Sequence, residues 1–174
     1  METILRYTYS AMNPEVPTDC IPAELVASPG FLLARLGMSL KMATMEEFER
    51  AGFSGYHYSI LALLDEGARK TQSAIAHALQ YDPSQLVALL DSLEEKGLVE
   101  RRRDPDDRRR HLVTLTTTGR QQLAAFRKLV QKLEDEFLAP LDEDERAALH
   151  DLLLRIAVQR DARFVVPATA AGAP

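Results

Sequence analysis

From residue 30 to residue 51 the apolar positions Leu32, Leu33, Leu36, Leu40 and Phe48 recur mostly at spacings of three and four. That is the period of a helix with one buried face. Ser28-Pro29 suits its start, as an N-cap followed by proline in the first turn. Gly52 suits its stop. A second helix starts after Ser54, turns Tyr58, Leu61 and Leu64 inward, and ends at Glu66-Gly67. Ala68–Lys70 is a short connection with room for a minimal strand. Thr71 then caps a short helix, Gln72–Leu79, that buries Ile75, Ala76 and Leu79. Asp82-Pro83 opens a fourth helix that runs to Lys96 and stops at Gly97. Leu86, Leu89, Leu90 and Leu93 form its buried stripe.

After Gly97 the period falls to two. Leu98–Arg103 and Arg110–Thr116 read as the strands of a hairpin, and Asp104-Pro105-Asp106-Asp107 as its turn. Thr117 or Thr118 is expected to cap a long helix reaching about Ala139. Its seam, Leu123, Phe126, Val130, Leu133 and Phe137, has coiled-coil-like spacing. Pro140 breaks that helix. Asp142 with Glu145 forms a capping-box start for a last one, Glu143 to Arg160, with Leu149, Leu152, Leu153 and Ile156 on one side. Residues 1–27 hold three prolines without a sustained period and read as an irregular arm; 161–174 read as a flexible tail. The order predicts a mainly α fold with a small β-hairpin wing. A winged helix-turn-helix spans 54–116, flanked by helical regions 28–53 and 117–160.

Charge changes the picture at the hairpin. The chain carries a formal net charge of -5, yet residues 98–111 hold six arginines against four acidic residues. Arginine concentrated on one hairpin of an acidic chain is self-repelling unless an anion binds there. The helix before it has the opposite character. Its exposed face is Ser84, Gln85, Val87, Ala88, Asp91, Ser92 and Glu95, without a basic residue. Gln85 suits bidentate reading of adenine, and Val87 and Ala88 suit contact with thymine methyls. Asp91 would repel phosphate unless paired with a base.

Other classes find no support. The apolar runs are too short to span a bilayer, and the N-terminus lacks a secretory leader. Cys20 is the single cysteine, so no intramolecular disulfide is expected and a cytoplasmic setting fits. Gly-x-Ser-x-Gly, His-Glu-x-x-His and phosphate-loop motifs are absent, so neither an enzyme nor a cofactor is expected. His77, His111 and His150 are widely spaced, which argues against a metal site.

Three motifs in this order resemble the MarR family of bacterial transcriptional regulators. They are Thr71–Ala76, the stretch Leu93-Glu94-Glu95-Lys96-Gly97-Leu98-Val99-Glu100-Arg101, and Arg103–Arg110 followed by Leu115-Thr116 and Gly119. The similarity spans roughly residues 29–160. It implies a homodimer built by the first and the last two long helices. It also implies a pseudo-palindromic double-stranded DNA operator, and repression relieved by a small, often aromatic, ligand. Ser73, Ser84, Gln85, Val87, Ala88 and Ser92 would then face DNA. In the wing, Asp107 would orient Arg109 into the minor groove, with Arg108 and Arg110 near phosphates. The chain departs from the family at Val87-Ala88, where members often carry Ser or Thr followed by Arg. The resemblance puts the ligand pocket among Arg35, Met38, Met42, His57 and Tyr58. Two alternatives stay open. One is a winged-helix protein-interaction module with weak or no DNA binding. The other is an oxidant sensor acting through Cys20, although Asp19 beside it disfavours the thiolate.

Overall fold

The computed structural model describes residues 20–67, 70–105, 107 and 110–164. The chain divides into two units, residues 1–42 and 43–174. In the first, a single helical turn, α1 (Ala23–Val26), interrupts the arm that the sequence predicted to be irregular throughout. The long helix α2 (Pro29–Arg50) follows and continues into the second unit. Ser28 starts it, accepting the Phe31 N–H at 3.3 Å. The stripe Leu32, Leu33 and Leu36 is exposed.

The second unit holds the core. α3 (Gly55–Asp65), α4 (Gln72–Leu79), α5 (Pro83–Glu95) and α6 (Thr117–Phe137) pack with a small antiparallel sheet. Its strands β1 (Lys70–Thr71), β2 (Val99–Arg103) and β3 (His111–Leu115) lie in the order β1-β3-β2. The hairpin register pairs Val99 with Leu115 and Arg101 with Val113. The short connection before α4 thus does become a strand, pairing Lys70 with Val113. Ile60, Leu61, Ile75, Leu86, Leu90, Leu93, Val113 and Leu123 are sealed from solvent. Phe48, from the last turns of α2, meets Phe126 edge-on at 5.0 Å. Burial along α6 fades from Leu123 and Phe126 to half-buried Val130, Leu133 and Phe137.

Thr116, not Thr117 or Thr118, caps α6. Its Oγ1 accepts the Gly119 N–H at 2.9 Å and donates to the Gly97 carbonyl at 2.7 Å. One hydroxyl therefore starts α6 and ties it to the glycine that ends α5. Gly119 is fully committed to this junction: a Cβ there would fall 2.0 Å from the Leu98 carbonyl oxygen.

α7 (Glu143–Arg160) buries no residue. Leu152, Leu153 and Ile156, predicted to share one side, are all exposed. A 3-10 turn, Ala162–Phe164, follows. There Asp161 and Arg163 are bound to each other. Among the described residues no helix is long and apolar enough to cross a membrane.

Candidate nucleic-acid interface

α4 and α5 are positioned by short polar residues at their starts. Thr71 ends β1 and caps α4 by accepting the Ala74 N–H at 3.2 Å. Its hydroxyl also lies 3.1 Å from that of Ser73. The turn between the helices places Gln80 in the left-handed region (φ 53°), and the Tyr81 N–H reaches back to the Ala76 carbonyl at 3.0 Å. Asp82 caps α5, accepting the N–H groups of Ser84 and Gln85 at 2.9 and 3.2 Å. The Ser84 hydroxyl also donates to Asp82, and these bonds hold that carboxyl below its ordinary pKa. Ser84 is therefore first a partner of the cap.

Ser73, Ser84, Gln85, Val87 and Ala88 are exposed, and Ser92 is half-buried. α5 carries no lysine or arginine. Asp91, read in isolation as a source of phosphate repulsion, is paired within the protein instead. Its Oδ1 lies 2.6 Å from Arg101 Nη2. The same guanidinium donates from Nε to Glu94 Oε2 at 2.8 Å, and the Arg101 N–H donates to Glu94 Oε1 at 3.1 Å. Hydrogen bonding from Arg101 holds the Glu94 carboxyl low, and the carboxylates raise the Arg101 pKa. The first arginine triplet is thus divided: Arg101 is turned in and latches α5 to β2, while Arg102 and Arg103 are exposed. The sequence carried a signal for this. Arg101 lies two residues beyond buried Val99, on the same strand face, and Asp91 and Glu94 share one side of a helix.

At the wing tip the backbone closes through the Asp104 N–H to the Arg110 carbonyl (3.0 Å) and the Arg110 N–H to the Asp107 carbonyl (2.8 Å). The Asp107 carboxylate lies 3.3 Å from Arg110 Nε. Asp106, Arg108 and Arg109 lie outside the described residues.

The candidate ligand residues fall in the two units. Arg35, Met38 and Met42 are exposed on α2. Tyr58 stacks on Phe48 at 5.8 Å and is half-buried. His57 is buried, with Nδ1 accepting the Ser54 N–H at 3.0 Å. That bond places its ring proton on Nε2, which is buried and finds no hydrogen-bond partner among the described residues. Burial lowers the His57 pKa, and the Lys96 charge adds to this. Cys20 is exposed, and among the described residues no group of His, Cys, Asp or Glu could hold a metal ion.

Comparisons with known proteins agree with this fold. Residues 51–110 match the profile of the MarR family. A transcriptional regulatory protein ascribed to the hcr operon of Thauera aromatica is 34% identical over 148 residues, covering 80% of this chain and 88% of that protein. The transcriptional repressor CouR bound to a 23-mer DNA duplex superposes with a TM-score of 0.70 at 34% identity, covering 80% of this chain and 99% of CouR. CouR from Rhodococcus jostii RHA1 bound to p-coumaroyl-CoA gives 0.63 at 33% identity, covering 78% and 96%.

Proposed function

The chain belongs to the MarR family of transcriptional regulators, and from that premise we propose that it is a dimeric, sequence-selective DNA-binding regulator. It represses genes until a small ligand, aromatic or anionic, releases it. The observation that carries the reading is the latch between α5 and β2. Arg101 neutralises Asp91 and fixes the recognition helix to the wing, so both present to one duplex as a rigid pair. A CouR structure on duplex DNA, matched over 80% of this chain, supports the same use of the fold.

The roles divide by chemistry. Gln85, Val87 and Ala88 read base edges in the major groove, with Ser84 and Ser92 beside them. Arg109, oriented by Asp107, enters the minor groove. Arg108 and Arg110, with Ser73 at the start of α4, meet phosphates. Exposed Leu152, Leu153 and Ile156 on α7 bury themselves against a second copy of the chain. His57 and Tyr58, both in the second unit, supply ligand contacts. His57 offers a buried N–H donor in need of an acceptor. Regulation of this kind needs no catalytic residue and no cofactor, and it takes place in the cytoplasm.

DNase footprinting on DNA upstream of the protein's own reading frame tests the proposal. Protection should cover two half-sites about one helical turn apart. Arg109→Ala should weaken binding by about 1–3 kcal/mol per lost contact. No protected site on any genomic fragment would favour the interaction-module reading instead.

A further inference from the structure

We infer that Arg163, from the turn after α7, is a further DNA-backbone contact delivered beside the helix-turn-helix. The inference rests on the DNA-binding function proposed above. Any duplex-binding surface must replace counterions with fixed positive charge. Neither α4 nor α5 contains a lysine or arginine, so the helix-turn-helix leaves that requirement to other elements.

A cleft of about 580 Å³ runs between α4 and α5, lined by Gln72, Ser73 and His77 of α4, Tyr81 of the turn, Val87 of α5, and Arg163. Arg163 thus stands in the same cleft as Ser73 and Val87, two of the residues placed on DNA. Ser73 lies in the first turn of α4, where backbone N–H groups lacking helical partners favour an anion. No other lysine or arginine among the described residues lines this cleft.

The side chain is held in place. Arg163 Nε donates to Asp161 Oδ1 at 2.9 Å, its backbone N–H donates to the same oxygen at 3.0 Å, and Nη2 donates to Oδ2. Guanidinium donors lie on more than one edge. Asp161 takes the Nε edge, and the Nη1 edge is the one a phosphate oxygen can take. Hydrogen bonding from Arg163 lowers the Asp161 carboxyl to a pKa of about 2. A pre-oriented arginine loses less side-chain freedom on binding than a free one.

The test uses the full-length protein and a fluorescent duplex that the wild type has selected from a random-sequence library. Affinity is measured between about 50 and 200 mM salt. Arg163→Gln should bind roughly tenfold more weakly at the low end. Its log-affinity against log-salt slope should be shallower, by less than about 1 for each subunit engaged because Asp161 offsets part of the charge. Its preference among sequences should be unchanged, because a phosphate contact carries no base information. Arg163→Lys should restore most of the slope, which a merely structural role would not predict. An unchanged affinity and slope in Arg163→Gln overturns the inference and leaves the proposed function standing. Tighter binding overturns it too, and identifies the turn as an obstruction. If the wild type selects no sequence, the proposed function fails and the inference falls with it.

Discussion

Arg101 on β2 and Asp91 on α5 lie 2.6 Å apart, guanidinium to carboxylate, across the junction between recognition helix and wing. Glu94 grips the same guanidinium from one turn further along α5. An arginine that looks from its sequence like part of an anion-binding patch is thereby a structural latch. It also cancels a charge that would otherwise repel DNA.

The latch predicts a graded mutational series. Arg101→Met leaves two carboxylates facing one another and should cost about 1–2 kcal/mol of stability, since hydrogen bonds to charged groups are worth more than neutral ones but both carboxylates are partly solvated. Glu94→Gln should cost more than Asp91→Asn, because Glu94 binds both the side chain and the backbone of Arg101. Urea unfolding gives the order. A larger loss for Asp91→Asn would contradict the division of labour.

Gly119 predicts a steep packing cost. In Gly119→Ala the new Cβ meets the Leu98 carbonyl oxygen at 2.0 Å and Leu115 Cδ2 at 2.7 Å. Backbone and core must move, and about 2–3 kcal/mol of stability should be lost. A thermal melt of the variant matching wild type would show that the α5–β2–α6 junction is looser than described.

These two residues show where the sequence was legible and where it was not. Asp82-Pro83, Gly97 and the leucines of α5 announce a helix through local chemistry, and the structure follows them. The resemblance flagged Gly119 as a motif position, but its reason is a carbonyl twenty-one residues away. The Arg101 latch depends on the hairpin register that pairs Arg101 with Val113, and local pattern does not fix such a register. The α6 cap moved to Thr116 because that threonine also bonds to Gly97 across the fold, and three successive threonines offer equal local signals. At the wing tip Asp107 grips Arg110, a pairing of neighbours three residues apart.

His57 predicts acid sensitivity. Its folded pKa is lowered, by burial first and by Lys96 second. The neutral ring is the form that accepts the Ser54 N–H. Its stabilising contribution is fully present above the ordinary histidine pKa of about 6.5, and is lost as pH falls through the lowered folded value. Melting temperature should therefore drop as pH falls below about 6.5, and His57→Gln should flatten that drop. Equal slopes for the two proteins would remove His57 as the cause.

α7 predicts the assembly. Leu152 and Ile156 are 55% and 53% exposed one turn apart, too much apolar surface to leave wet along one helix. The double variant Leu152→Arg, Ile156→Arg should sediment as a monomer where wild type sediments as a dimer. A monomeric wild type, or a variant that still dimerises, would move the interface elsewhere.

Sequence-selective DNA binding is expected here of an acidic protein whose α5 lacks basic residues. Selection from a random duplex library, followed by anisotropy on the winning duplex and a shuffled control, tests it most directly. The expected result is an enriched two-fold symmetric sequence and at least about a thousandfold preference over the control at physiological salt. Affinity should fall linearly on a log-log plot as salt rises. No enriched sequence, or equal binding to the shuffled duplex, would contradict it.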